Sequence, residues 1–221
     1  HLLKFYILKY AQYFLTFLIP ILLAKFSTKE DLGLYGYIIL VIQTLLVFNF
    51  GIPNSYLVDK IKDSNNWTNF YYFVYCFLVS TLTLIFFFIY NNFNENKNFS
   101  NLDFILLSFI ILTSTLIQLS QNNLRSKLNF NLLGLLNIIP SVLFLFLWLF
   151  IDLNIVFITL FSYSFNYIIY SVLFIKKLKL KRIQFKFFKQ IFLNSSSLFI
   201  NNISFYLIFL ILRYLFYGKV S

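Results

Sequence analysis

Only one cysteine, Cys76, stands among the 221 residues, and it falls inside an apolar run. A disulfide framework is excluded, as is any Cys-x-x-Cys spacing for metal or redox chemistry. Histidine is equally scarce: the single one is His1, so no internal imidazole can act as a general base. Acids number seven against 18 Lys and Arg. Charged residues of both signs make up 11% of the chain, whereas soluble domains carry about 25%. No Gly-rich phosphate loop of the Walker type occurs, so nothing points to ATP use. From the start at His1 and the lack of any Met, the expectation is that residues are missing upstream or that this is an excised piece.

What is abundant is apolar surface. Hydrophobic residues reach 60% and mean hydropathy is +0.81, values that make lipid the solvent for most of the chain. Phe, Ile, Asn, Lys and Tyr dominate in the manner of a coding bias, so the aromatic content is not read as a ligand cage. The net charge of +11 would suggest nucleic acid in a soluble protein, but its placement has a simpler account.

Cutting the sequence at polar clusters leaves seven apolar runs, 6–24, 37–58, 70–90, 102–122, 130–151, 154–175 and 190–212. Each is close to the ~20 residues that a helix rising 1.5 Å per residue needs to cross about 30 Å of hydrocarbon. The expectation is an all-α polytopic membrane protein with about seven transmembrane helices. Strands are excluded because open edges cannot be satisfied in lipid and barrel strands are half this length. With the N-terminus placed inside, thirteen of the 18 Lys and Arg fall on the inner side, seven of them in KKLKLKRIQFKFFK at 176–189. The positive-inside rule thus predicts a cytoplasmic N-terminus, and the basic segment contacts anionic membrane lipids rather than nucleic acid. The link around 152–154 is short enough to make the fifth and sixth spans antiparallel neighbours.

Polar residues recur inside the runs at helical spacing. Lys9, Gln12 and Thr16 share a face, as do Ser114, Gln118, Gln121 and Arg125. The fifth run shows Asn131, Gly134, Asn137 and Ser141; the sixth Ser162, Asn166 and Tyr170; the seventh Asn194, Ser197, Asn201 and Ser204. Amides in hydrocarbon are costly without a partner. Two arrangements satisfy them: interhelical hydrogen bonds in a compact bundle, or a wet, cationic cavity open to the cytoplasm that suits an anionic head on an apolar tail. Near the end of the second run, Gly51 and Pro53 predict a helix break or hinge, or merely the point where the helix enters the next loop.

Residues 11–58 resemble the start of the polysaccharide and O-antigen repeat-unit flippases of the multidrug/oligosaccharidyl-lipid/polysaccharide exporter superfamily. The resemblance lies in a first helix bearing Pro20, a short loop Lys29-Glu30-Asp31-Leu32-Gly33-Leu34-Tyr35, and a second helix closing in Phe50-Gly51-Ile52-Pro53. It implies two MATE-like lobes related by an internal repeat. Residues 1–175 would form an N-terminal six-helix lobe, 176–189 the cytoplasmic link, and 190–221 the first helix of a second, truncated lobe. Residues FYGKVS at 216–221 echo KFSTKE at 25–30, as if a second copy were beginning.

The resemblance implies alternating-access export of a polyprenyl-diphosphate-linked oligosaccharide across a bacterial plasma membrane, alongside glycan polymerase machinery, with no cofactor, metal or covalent chemistry. Its headgroup site would draw on Lys9, Gln12, Arg125, Asn194, Asn201 and Arg213. Arg213 has a second reading, in which it snorkels to headgroups at the end of its span; the family's Asp-Arg pair is not repeated, since Leu212 precedes it. A drug or metabolite antiporter of the same fold would need acids within the lobe, yet all seven lie in or beside predicted loops. A membrane enzyme of glycan assembly would need a base, an acidic pair or a large outward loop, and no predicted outward loop is longer than 91–101.

Overall fold

The computed structural model describes residues 2–47, 51–62, 67–93, 101–151, 153–176, 178–179 and 184–196. Among the described residues the helices α1 (Leu2–Phe26), α2 (Lys29–Val47), α3 (Ile52–Lys62), α4 (Trp67–Phe93), α5 (Asn101–Ser126), α6 (Phe130–Phe150) and α7 (Ile155–Ile175) follow in order. Residues 185–196 are helical as well, so helix starts inside the segment expected to be a link over 176–189. No strand occurs among the described residues.

Four helices, Leu3–Phe26, Leu102–Ser126, Phe130–Phe150 and Ile155–Ile175, are long and apolar enough to cross a membrane. The second predicted run is instead divided. α2 stops at Val47 and α3 starts at Ile52, with Gly51 between them in a turn at φ 69°, a backbone region open to glycine at little cost. Pro53 then sits in the first turn of α3, where its missing N–H has no helical acceptor to leave unpaired. In α4 the described apolar stretch is Asn69–Ile85. The seventh run passes out of the described residues at 197.

Local chemistry sets several ends. Residues 29–35, expected as a loop, are helical because Thr28 and Asp31 form a capping box. The Asp31 amide donates to Thr28 Oγ1 at 3.1 Å, and Thr28 Oγ1 donates to Asp31 Oδ2 at 2.8 Å. Asn129 and Asn154 cap α6 and α7 through their side-chain carbonyls. α5 ends in a Schellman motif, with the Asn129 amide bonded to the Leu124 carbonyl and the Leu128 amide to that of Arg125. The left-handed position that glycine usually takes there is filled by Leu128, at φ 54°.

α5 is the central helix and packs against α2, α3, α4, α6 and α7. α1 rests on α6 and, more lightly, on α2. Its two buried positions, Ile19 and Leu23, belong to a cluster with Tyr35, Phe144, Ile155 and Ile158. A second cluster joins α3, α4, α5 and the 185–196 helix through Tyr56, Tyr72, Leu119 and Ile191. Large apolar side chains such as Phe17, Leu82, Phe146 and Phe165 cover much of the outer surface, as expected of helices solvated by lipid.

Candidate functional site

A cavity of about 340 Å³ opens among α1, α3, α5, α6 and α7. α1 contributes Gln12 and Thr16, and α3 contributes Pro53 and Asn54. α5 supplies Gln118, Gln121, Asn122 and Arg125, α6 Asn137 and Ser141, and α7 Tyr163, Asn166 and Tyr167. Polar faces of α1, α5, α6 and α7 that could be assigned only to separate helices thus meet at one place. Arg125 lines the cavity yet stays exposed, which puts it at the rim. It also lies in the last turn of α5, where the partial negative charge of the helix end favours a cation.

Part of this polarity holds helices together. Asn122 donates through Nδ2 to the Pro53 carbonyl at 2.6 Å, and its Oδ1 accepts from an Arg125 guanidinium nitrogen at 3.1 Å. Asn137 Oδ1 accepts from Gln121 Nε2 at 3.2 Å and from the Tyr170 hydroxyl at 2.7 Å, joining α5, α6 and α7. Asn166 differs. It is 5% exposed and lines the cavity, and its Oδ1 has no hydrogen-bond partner.

Hydroxyls behave differently from carboxamides. Thr16, Ser114 and Ser162 each bond to a carbonyl of their own helix, those of Gln12, Ile111 and Ile158. A Ser or Thr in a helix can satisfy itself this way, whereas the longer carboxamide looks outward. This is why the amides mark the cavity more faithfully than the hydroxyls in the same stripes. Two of the three prolines belong to the site. Pro53 and Pro140 line it, and Pro20 offers no N–H to the carbonyl of the lining residue Thr16, one turn earlier in α1.

Of the residues expected at a headgroup site, Gln12 and Arg125 are brought together by the cavity. Lys9 is not among its lining residues. It is exposed, with its ammonium 6.0 Å from the Phe5 ring centroid and 5.7 Å from that of Tyr13. One helical turn separates it from Gln12, but the turn carries it past the edge of the cavity. Asn194 is exposed and also absent from the lining. Asn201 and Arg213 lie outside the described residues. Gly51 is buried in the turn before α3, and Pro53 is a cavity wall.

Sequence reasoning left out Asn54, Asn122, Tyr163 and Tyr167. Asn122 was within reach of it, since it lies four residues after Gln118 and three before Arg125. The two tyrosines carried no signal in a chain with 16 of them. Among the described residues no three His, Cys, Asp or Glu side chains come together. No family model matches this chain, and no curated protein or solved structure matches it.

Proposed function

We propose that this chain is the amino-terminal part of a flippase that exports a polyprenyl-diphosphate-linked oligosaccharide across a bacterial plasma membrane by alternating access. One observation carries the reading: five helices with apolar outer surfaces turn polar side chains into a single cavity with a guanidinium at its rim. An anionic head on an apolar tail matches that division between polar interior and lipid-facing exterior. Seven spans, a cytoplasmic N-terminus and a first lobe over 1–175 complete the proposal, supported by the count of Lys and Arg on alternate sides and by the resemblance over residues 11–58.

In this reading the Arg125 end of the bundle faces the cytoplasm. Headgroup phosphate meets Arg125, which has one hydrogen bond to Asn122 among its five donors. The tail stays in lipid, and rocking of the lobe against a second lobe moves the head across. The basic 176–189 segment links the lobes and lies against anionic lipids, and glycan polymerase machinery receives the exported unit. No bond is made or broken.

The test is glycan export by the whole protein reconstituted in vesicles. Arg125→Gln should lower export at least tenfold without changing the amount of inserted protein, and Arg125→Lys should retain part of it. Wild-type export by Arg125→Gln would remove the cavity from the transport path.

A further inference from the structure

A second, open groove of about 760 Å³ lies where the α1–α2 turn meets the α6–α7 turn. It is at the other end of the bundle from Arg125, which stands just before α6 begins, whereas the groove takes Trp148 and Phe150 where α6 ends. α1 and α6 are both long and apolar enough to cross a membrane. The place where both stop is therefore the level of lipid headgroups, and Trp148 fits the aromatic belt found there. Asp31 is the one charged side chain lining the groove among the described residues. Its Oδ2 accepts from the Thr28 amide at 3.3 Å and from the Thr28 hydroxyl at 2.8 Å, and its Oδ1 is engaged by neither. The last turns of α1 and α6 add partial negative charge, from carbonyls that a helix end leaves without an amide of its own. The N-termini of α2 and α7 offset this little, because Thr28 Oγ1 already accepts from the Asp31 amide and Asn154 Oδ1 from the Val156 amide.

This lining selects its ligand by charge and by hydrogen-bond type. An anion would face the carboxylate with no lysine or arginine in the wall. A divalent metal takes several oxygen ligands, usually with more than one carboxylate, and among the described residues no three His, Cys, Asp or Glu side chains come together. A primary ammonium has three N–H donors for Asp31 and the helix-end carbonyls, and Trp148 and Phe150 offer it aromatic surface. At the border of the groove stands a charge of the other sign. Lys25 is exposed and outside the lining, with its ammonium 5.2 Å from the ring centroid of Phe26, itself a wall of the groove. A carboxylate inside and an ammonium at the edge match a zwitterion. We infer that the groove is a lipid site, in which Asp31 Oδ1 receives the primary ammonium of a zwitterionic headgroup and Lys25 meets the phosphate beside it. The site shares no residue with the cavity around Arg125 and does not depend on transport.

The experiment extracts the whole protein from vesicles holding equal parts of phosphatidylethanolamine, phosphatidylcholine and phosphatidylglycerol, and counts the lipids it retains by native mass spectrometry. Phosphatidylethanolamine should be retained over the other two by about tenfold, the ratio expected of a hydrogen bond between charged groups, since the choline headgroup has no N–H and the glycerol headgroup no cation. Asp31→Asn keeps an oxygen for the Thr28 cap and removes the charge, so the preference should vanish with little change in melting temperature. Thr28→Ala breaks the cap and keeps the carboxylate; its melting temperature should fall and its preference remain. Lys25→Gln should lower retention of phosphatidylethanolamine and phosphatidylcholine alike, because both carry the phosphate. Excess free ethanolamine should not displace the lipid.

Equal retention of the three lipids by the wild type would make the groove an ordinary part of the lipid annulus. A preference unchanged in Asp31→Asn would detach the headgroup from this carboxylate, and one lost equally in Thr28→Ala would trace it to the start of α2 instead of to the charge. Displacement by ethanolamine would leave a site for free amines. Each of these results overturns the inference.

Discussion

The side-chain amide of Asn122 donates to the backbone carbonyl of Pro53 across 2.6 Å, tying the central helix α5 to the first turn of α3. Both residues are buried, and the same carboxamide also receives Arg125. α3 follows a glycine turn and is short, so this bond helps decide where Pro53 and Asn54 stand in the cavity wall. Asn122→Ala should cost about 1–3 kcal/mol, the usual penalty for leaving a buried partner unpaired. Thermal unfolding in detergent reads this loss, and a melting temperature equal to wild type would detach α3 from that position.

Gly134 marks a close crossing of α1 and α6. A Cβ built there would meet Leu8 Cβ at 2.9 Å and Leu8 Cδ1 at 3.1 Å. Leu8 Cβ sits at the root of its side chain and cannot swing away, so Gly134→Ala should push the helices apart at a cost of about 1–3 kcal/mol. Leu8→Gly in the same chain, which removes that Cβ, should relieve most of the clash in a double-mutant cycle. Additive effects of the two changes would mean that the helices do not touch at this point.

Among the described residues two hold a left-handed backbone, and they predict opposite responses. Leu128, 75% exposed at φ 54°, fills a position that favours glycine. Leu128→Gly should therefore stabilise the chain by up to about 1–2 kcal/mol, the steric cost of a Cβ in that region. Gly51, at φ 69°, should lose a similar amount on change to Ala and more on change to Val. Equal melting temperatures for all three variants would count against both turn geometries.

Ser80 Oγ and Thr115 Oγ1 lie 2.6 Å apart and join α4 to α5. Hydrogen bonds between membrane helices average about 0.6 kcal/mol, because the separated helices find other partners. A cycle of Ser80→Ala and Thr115→Val should give a coupling of that order in a detergent unfolding titration. A coupling of several kcal/mol would show a larger role in holding α4 in place.

Much of the cavity can be read from residue spacing. Gln12, Gln118, Gln121, Arg125, Asn137, Ser141 and Asn166 all belong to faces that a 3.6-residue period picks out, and all line it. Lys9 shares the face of Gln12 yet misses the cavity, since a stripe drifts around the helix and its end can pass the edge of a neighbour. Ser114 and Ser162 share such faces too, but their hydroxyls turn back on their own helices. The loop expected over 29–35 became helix through a side-chain cap, a short-range contact that outweighs the charge of the segment.

Composition and periodicity alone determined that the chain is helical, that several helices match lipid in length, and which side of each is polar. These properties follow from contacts within one helix and from its solvent, so they need no knowledge of neighbours. Only the packed structure decided that α3 closes the cavity with Pro53 and Asn54, that Asn122 and Asn137 bind protein, and that Asn166 does not. The period gives an angle about one axis, whereas these choices depend on how far apart the axes stand and how each helix is turned toward the next.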